Sequence, residues 1–174
     1  MQPRCPARAG QLLKEVLTPA LLVSMPLLER NETMMREKMT GTNVALRPHA
    51  KAHKSSGLAL WHLNRAHGSL SGFCAQSISE ADVLLRHYQR GTANRGRDCA
   101  ANCDVLLTNE IVSEVGARLV AELAAECPQA RLGVLVDSAA GVQALAAAIA
   151  CGKHARSVAP ELAVLLEVEC GQVL

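Results

Sequence analysis

The residues best suited to chemistry stand in one short run, Arg47-Pro48-His49-Ala50-Lys51-Ala52-His53-Lys54-Ser55, directly after the strand-like Val44-Ala45-Leu46. If extended geometry continues through the run, its period of two puts Arg47, His49, Lys51 and His53 on one face and Leu46, Ala50 and Ala52 on the other. Two readings follow. On the outside of a protein such a row is a solvated basic strip. Delivered to the carboxyl-terminal rim of an α/β sheet, the same row surrounds Lys51 with cations, disfavours its ammonium form and leaves an amine able to attack a carbonyl. That is the chemistry of a Schiff-base lysine.

The elements that must position such a lysine are legible as alternating runs. Short apolar stretches recur at Ala20 to Val23, Val44 to Leu46, Leu70 to Ala75, Val105 to Leu107, Leu132 to Val136 and Ala163 to Val168. Helical stretches lie between them at Leu27 to Met39, Ser79 to Tyr88, Val112 to Glu126 and Ala139 to Ala150. Near-continuous Val and Leu strands alternating with helices predict parallel βα units buried on both faces, hence an α/β fold. Periodicity leaves open whether these units form a doubly wound sheet or part of an eightfold barrel. The segment Arg90-Gly91-Thr92-Ala93-Asn94-Arg95-Gly96-Arg97-Asp98-Cys99 is polar and aperiodic and predicts a surface loop insertion around 89–103.

Composition narrows the class. A chain of 174 residues, 49% hydrophobic and 20% charged, can bury a core. Phe73, Trp61 and Tyr88 are its only aromatic residues, so that core must be aliphatic. A net charge of +2 provides no electrostatic footprint for nucleic acid, and no aromatic residue interleaves with the arginines of the 90–99 segment. Apolar runs are broken by Asp137, Lys153 and Glu167 before reaching the ~20 residues of a membrane span, so no membrane partner is expected. Seven cysteines, an odd count in a chain with ample core, predict reduced thiols and a cytoplasmic setting. Arg4, Arg8 and Lys14 without an acid before them leave a faint likeness to an organellar transit peptide. Cys99 and Cys103 have no second pair at zinc-ligand spacing and are read as free thiols.

The run Arg47-Pro48-His49-Ala50-Lys51-Ala52-His53-Lys54 resembles the cofactor-lysine motif of the D-threonine aldolase and D-serine dehydratase family, which belongs to the alanine-racemase-like, fold-type III pyridoxal 5'-phosphate enzymes. The likeness extends along most of the chain. Thr18-Pro19-Ala20-Leu21-Leu22-Val23 with Leu28-Glu29-Arg30-Asn31 is similar to the family's opening strand and helix. Cys74-Ala75-Gln76 with Ser79-Glu80-Ala81 resembles the segment whose glutamine lies beside the cofactor. Leu106 to Val112, Val134 to Ser138 and Leu165 to Gln172 resemble the next three strand ends. The chain departs from the pattern at Ser24-Met25-Pro26, where the family has an acidic stretch, and after Gln172, where the family continues into a cofactor-contacting arginine.

The resemblance implies a partial (β/α)8 TIM-type barrel of about six of eight βα units, without the C-terminal β domain. Residues 1–16 would be an N-terminal extension and 17–174 the incomplete barrel domain. It implies that Lys51 forms the Schiff base and is the catalytic residue, and that Gln76 is a second cofactor contact, although Gln76 could instead cap a helix. It implies a lyase acting on small D-3-hydroxy amino acids, most like D-threonine aldolase, with D-serine dehydratase, a non-catalytic truncated fragment or a plain pyridoxal-phosphate-binding protein as alternatives. A divalent metal, Mn or Zn, is implied as well, its ligands lying in a domain this chain lacks, and a homodimer is compatible with the family.

Overall fold

The runs at Gly72–Ala75, Asp104–Leu107 and Arg131–Val136 become parallel strands buried along most of their length. The computed structural model describes residues 7–65, 70–95, 103–151 and 162–171. These fall into two compact units, Met1–Lys38 and Met39–Leu174. In the first unit, residues 20–23 form no strand and Leu21 is fully exposed. Helix α1, Met25–Met39, begins there, and its Glu32 pairs with Arg36 one turn on at 3.3 Å.

The second unit holds α2 (Ser56–Arg65), β1 (Gly72–Ala75), α3 (Ile78–Arg95), β2 (Asp104–Leu107), α4 (Glu114–Glu126), β3 (Arg131–Val136), α5 (Ala139–Cys151) and β4 (Leu162–Leu166). The four strands form one parallel sheet in the order β1-β2-β3-β4. Strands that neighbour in sequence are neighbours in space, each joined by a crossover helix, which is the arrangement of an opened barrel wall. Phe73, Val105, Leu107, Leu132 and Val134 are almost completely buried in it. Helix α4 lies against this core because Ala117, Val120, Ala121, Leu123 and Ala124 recur at helical spacing, and its start is set by the Ser113 hydroxyl, which accepts from the Gly116 N–H at 3.0 Å. In α3 the stripe Ala81, Leu84, Leu85 and Tyr88 does the same.

Three differences from the sequence expectation have physical causes. Helix α2 was not anticipated, although its signal is present: the Ser55 hydroxyl caps the Leu58 N–H at 3.2 Å and Ala59 and Leu63 share a buried face. Helix α3 runs seven residues past Tyr88, so the first part of the expected 89–103 loop is helical, and Cys99 lies outside the described residues. Gly91 lies where this helix meets α2, and a β-carbon there would stand 3.1 Å from the Leu60 side chain. The Val44 to Leu46 run forms a single parallel bridge, Leu46 to Leu70, followed by another, His49 to Cys74. Pro48 between them has a carbonyl to accept from the Cys74 N–H at 2.9 Å but no N–H to return, so a continuous ladder cannot form.

Gly72 opens β1 at φ +150, and a β-carbon there would fall on the Asp104 carbonyl of the adjacent strand. Gly72→Ala is expected to lower the unfolding free energy by about 3 kcal/mol or more. A urea melt unchanged by the substitution would contradict this strand contact.

Candidate functional site

In a parallel sheet the residues just past the strands share one rim, and here these are Gln76 after β1, Thr108 after β2, Asp137 after β3 and Glu167 after β4. The run containing Lys51 arrives at the same rim beside β1, through the bridge of His49 to Cys74. There the chain stops being extended: Ala50–Ala52 is a single 3-10 turn. The alternation that was to put Arg47, His49, Lys51 and His53 on one face therefore ends at His49. The expected row of four cations does not exist.

Its members separate into different tasks. Arg47 forms a two-pronged pair with Asp104 at the start of β2, at 3.0 and 2.8 Å, and Arg131 at the start of β3 reaches the same carboxylate at 3.5 Å. Asp104 is 8% exposed and so has little water to replace these donors. His49 accepts the Lys51 backbone N–H on Nδ1 at 3.3 Å, and His53 accepts the Ser55 N–H in the same manner at 3.1 Å. Each histidine thus caps the turn two residues ahead, as aspartate and asparagine often do. Lys54 completes the reversal with φ 50, its N–H donating to Ala50 at 2.8 Å.

Lys51 itself is exposed, and no row of cations shelters it. Gln76 is also exposed, and its backbone N–H donates to the Glu80 carboxylate at 2.9 Å. The helix-capping role that Gln76 could have taken belongs to Ser77, whose hydroxyl accepts from the Glu80 N–H at 3.2 Å. His49 connects these groups. Its Nε2 lies 3.3 Å from the Thr108 hydroxyl, and it feels the charges of both Lys51 and Glu80. Burial, reinforced by the Lys51 charge and opposed by Glu80, holds the His49 pKa below its ordinary value. Burial does the same to His53. Thr108 was not singled out in the sequence. Its position as the first residue after a strand was the available signal.

The far end of the rim is acidic. Glu167 hydrogen-bonds Glu110, and that bond, with the nearby Glu110 charge, raises its pKa, with Asp137 and Glu169 adding smaller contributions. Among the described residues no group of three His, Cys, Asp or Glu side chains stands close enough to hold a metal ion. Cys74, Cys103, Cys127, Cys151 and Cys170 are free thiols, and burial, with Asp104 and Cys127 contributing, pushes Cys103 up to about 12. Such a thiol is inert. Among the described residues no helix is long and apolar enough to cross a membrane.

Comparison with known proteins places this arrangement. No protein-family model matches the chain. A D-threonine aldolase of Arthrobacter sp is 32% identical over 167 residues, covering 96% of this chain and 38% of that protein. A 3-hydroxy-D-aspartate aldolase of Paracoccus denitrificans is 30% identical over 168 residues, covering 95% of this chain and 37% of that protein. The crystal structure of D-threonine aldolase from Filomicrobium marinum superposes with a TM-score of 0.73 at 33% identity, over 97% of this chain and 39% of that one. The chain is a homologue of D-threonine aldolases. It spans less than two fifths of the length of the curated relatives it matches. The partial-barrel architecture read from its sequence is that of the matched part of the Filomicrobium enzyme.

Two outcomes test the anchoring of the Lys51 run. Asp104→Ala leaves Arg47 without its partner and is expected to lower the unfolding free energy by about 2 to 4 kcal/mol, while Arg47→Met combined with Asp104→Leu recovers most of that loss in urea melts. The His49 cap is pH-sensitive in a defined direction. Its folded pKa lies below the ordinary 6.5, so the unfolded chain binds the proton more tightly; the capped turn is fully favoured above pH 6.5 and loses that advantage as pH falls through the depressed value. In an NMR titration the His49 ring should titrate below pH 6.5 and the Lys51 amide resonance should move with it. A midpoint above 6.5 would contradict the burial of this ring.

Proposed function

We propose that the chain carries the cofactor-anchoring part of a pyridoxal 5'-phosphate-dependent lyase that acts on D-3-hydroxy amino acids, with Lys51 as the residue that bonds the cofactor. The observation that supports this most is the position of Lys51: on the turn that leaves the bridge to β1, at the carboxyl-terminal rim where α/β barrels hold their ligands. The donor chemistry fits an aldehyde-bearing ring. An exposed amine is open to a carbonyl compound arriving from solvent, a neutral imidazole two residues before it adds no competing cation, and the Gln76 amide and Thr108 hydroxyl stand on the same rim.

In this reading Lys51 would hold the cofactor covalently and Gln76 would contact it. When bound, pyridoxal phosphate supplies an electron sink for the bond broken at the substrate Cα. The chain's own residues prepare that chemistry. The Arg47 to Asp104 pair fixes where the run crosses the sheet, and the exposure of Lys51 would leave its amine open to the cofactor. The expected reaction is cleavage of the Cα–Cβ bond, giving glycine and an aldehyde from D-threonine or a related 3-hydroxy amino acid. The names of the relatives support aldol cleavage as the reaction type.

The test is direct. Purified protein is mixed with pyridoxal phosphate, reduced with borohydride and digested, and the modified lysine is identified by mass. Lys51 is expected to carry the adduct, and Lys51→Ala to abolish both it and the visible absorbance of the imine. Modification at Lys54 or elsewhere, with Lys51 untouched, would reject the assignment. Aldehyde release from D-threonine or 3-hydroxy-D-aspartate with added divalent metal supports the aldolase; release of ammonia in its place supports a dehydratase.

A further inference from the structure

We propose that His49 is a positioning residue for the Lys51 amine: its imidazole, held as the neutral Nε2–H tautomer by the Thr108 hydroxyl, orients the turn that carries Lys51. The inference deepens the reading of Lys51 as the carbonyl-reactive lysine and rests on it. It begins from hydrogen-bond donors and acceptors. The Thr108 hydroxyl has one proton, and the Ala75 carbonyl lies 3.2 Å from it in position to accept. With that proton given to Ala75, Thr108 can only accept from His49 Nε2, 3.3 Å away. On the other side of the ring the Lys51 backbone N–H, which can only donate, lies 3.3 Å from Nδ1. Both neighbours demand the same tautomer, a proton on Nε2 and a lone pair on Nδ1.

Each contact comes from a different part of the sheet. Ala75 ends β1, Thr108 follows β2, and His49 is bridged to Cys74. The Thr108 N–H also donates to the Ala75 carbonyl at 2.9 Å, so that oxygen and the hydroxyl are held in register by the ladder itself. The ring is therefore held between the ends of two adjacent strands, and through Nδ1 it transmits that position to the middle residue of the Ala50–Ala52 turn. Protonation puts a hydrogen on Nδ1 and removes the acceptor. The charged groups facing the ring are Lys51 on its own turn and Glu80 from α3, and burial together with Lys51 outweighs Glu80, keeping the ring neutral. The Cys74 thiol on β1 is itself raised by burial and contributes no charge near neutrality.

The experiment uses the full 174-residue chain and pyridoxal phosphate as the probe. Long-range proton–nitrogen NMR correlations are expected to show His49 as the Nε2–H tautomer above pH 7. The rate of borohydride-trapped adduct at Lys51 is expected to fall about tenfold in His49→Ala, as loss of orientation predicts, and to return close to wild type in His49→Asn, whose side-chain oxygen can accept the same N–H. The ratio of wild-type to His49→Asn rate should stay constant above pH 6.5 and fall below it, because only wild type loses its cap on acidification. Thr108→Val removes the hydroxyl alone; it should admit the Nδ1–H tautomer and slow adduct formation in proportion, and it carries the test if His49→Ala does not fold.

An Nδ1–H tautomer in the wild type, or unchanged Lys51 rates in His49→Ala and Thr108→Val, overturns the positioning role while leaving Lys51 as the reactive lysine. Absence of any Lys51 adduct in the wild type overturns both.

Discussion

A buried carboxylate at the start of β2 governs where the chemistry-bearing run can lie. Asp104 has Arg47 on one side and Arg131 on the other, and both oxygens of its carboxylate are engaged by the Arg47 guanidinium. The run around Arg47 has few backbone bonds to the sheet, because Pro48 interrupts the ladder and leaves the Ser71 and Cys74 N–H groups as the donors that reach it. A bidentate pair at 27% and 11% side-chain exposure substitutes for the missing ladder. It is directional, it is shielded enough to matter, and removing one partner strands the other.

From that anchor the chain changes character within four residues. His49 is the last residue paired to the sheet, and the next three form a 3-10 turn capped at both ends by histidines. The pattern His-x-Lys-x-His therefore has a local structural meaning beside any chemical one: each imidazole supplies the acceptor that a short turn requires two residues on. The lysine between them is exposed, on a turn whose neighbours are fixed by β1 and the end of β2. An exposed amine on a backbone fixed by its neighbours is the combination that the role proposed for Lys51 calls for.

The sheet also has an open side. β4 pairs with β3 alone among the described strands, and its Val164, Leu165 and Leu166 are 50%, 41% and 69% exposed. Helix α5, which precedes it in the chain, is composed largely of alanine and buries Leu145 alone among its residues. Apolar side chains on a free parallel edge are unfavourable in water, and the matched aldolases are more than twice as long as this chain. The acidic rim residues Glu110, Asp137 and Glu167 gather on this side, opposite the Lys51 turn.

Much of this architecture was written in local composition. Val105 to Leu107 and Leu132 to Val136 read as buried parallel strands because their side chains are apolar on both faces, and α4 read as a helix because its apolar residues recur at helical spacing; these are properties of neighbours in sequence. The resemblance around Lys51 was likewise a matter of contiguous residues, and the relatives found by comparison are of the kind it implied. What the residues alone misassigned was the partner of each basic group. Arg47 reads as one of four cations in a row until Asp104, 57 positions later, is brought beside it. His49 reads as another member of that row until Thr108, 59 positions later, is brought beside its ring. Sequence spacing determines the period of an element and the chemistry available within it. Which charge is neutralised, which ring is held neutral and where an extended run must turn depend on strands that meet across a sheet, and only the tertiary structure decides those.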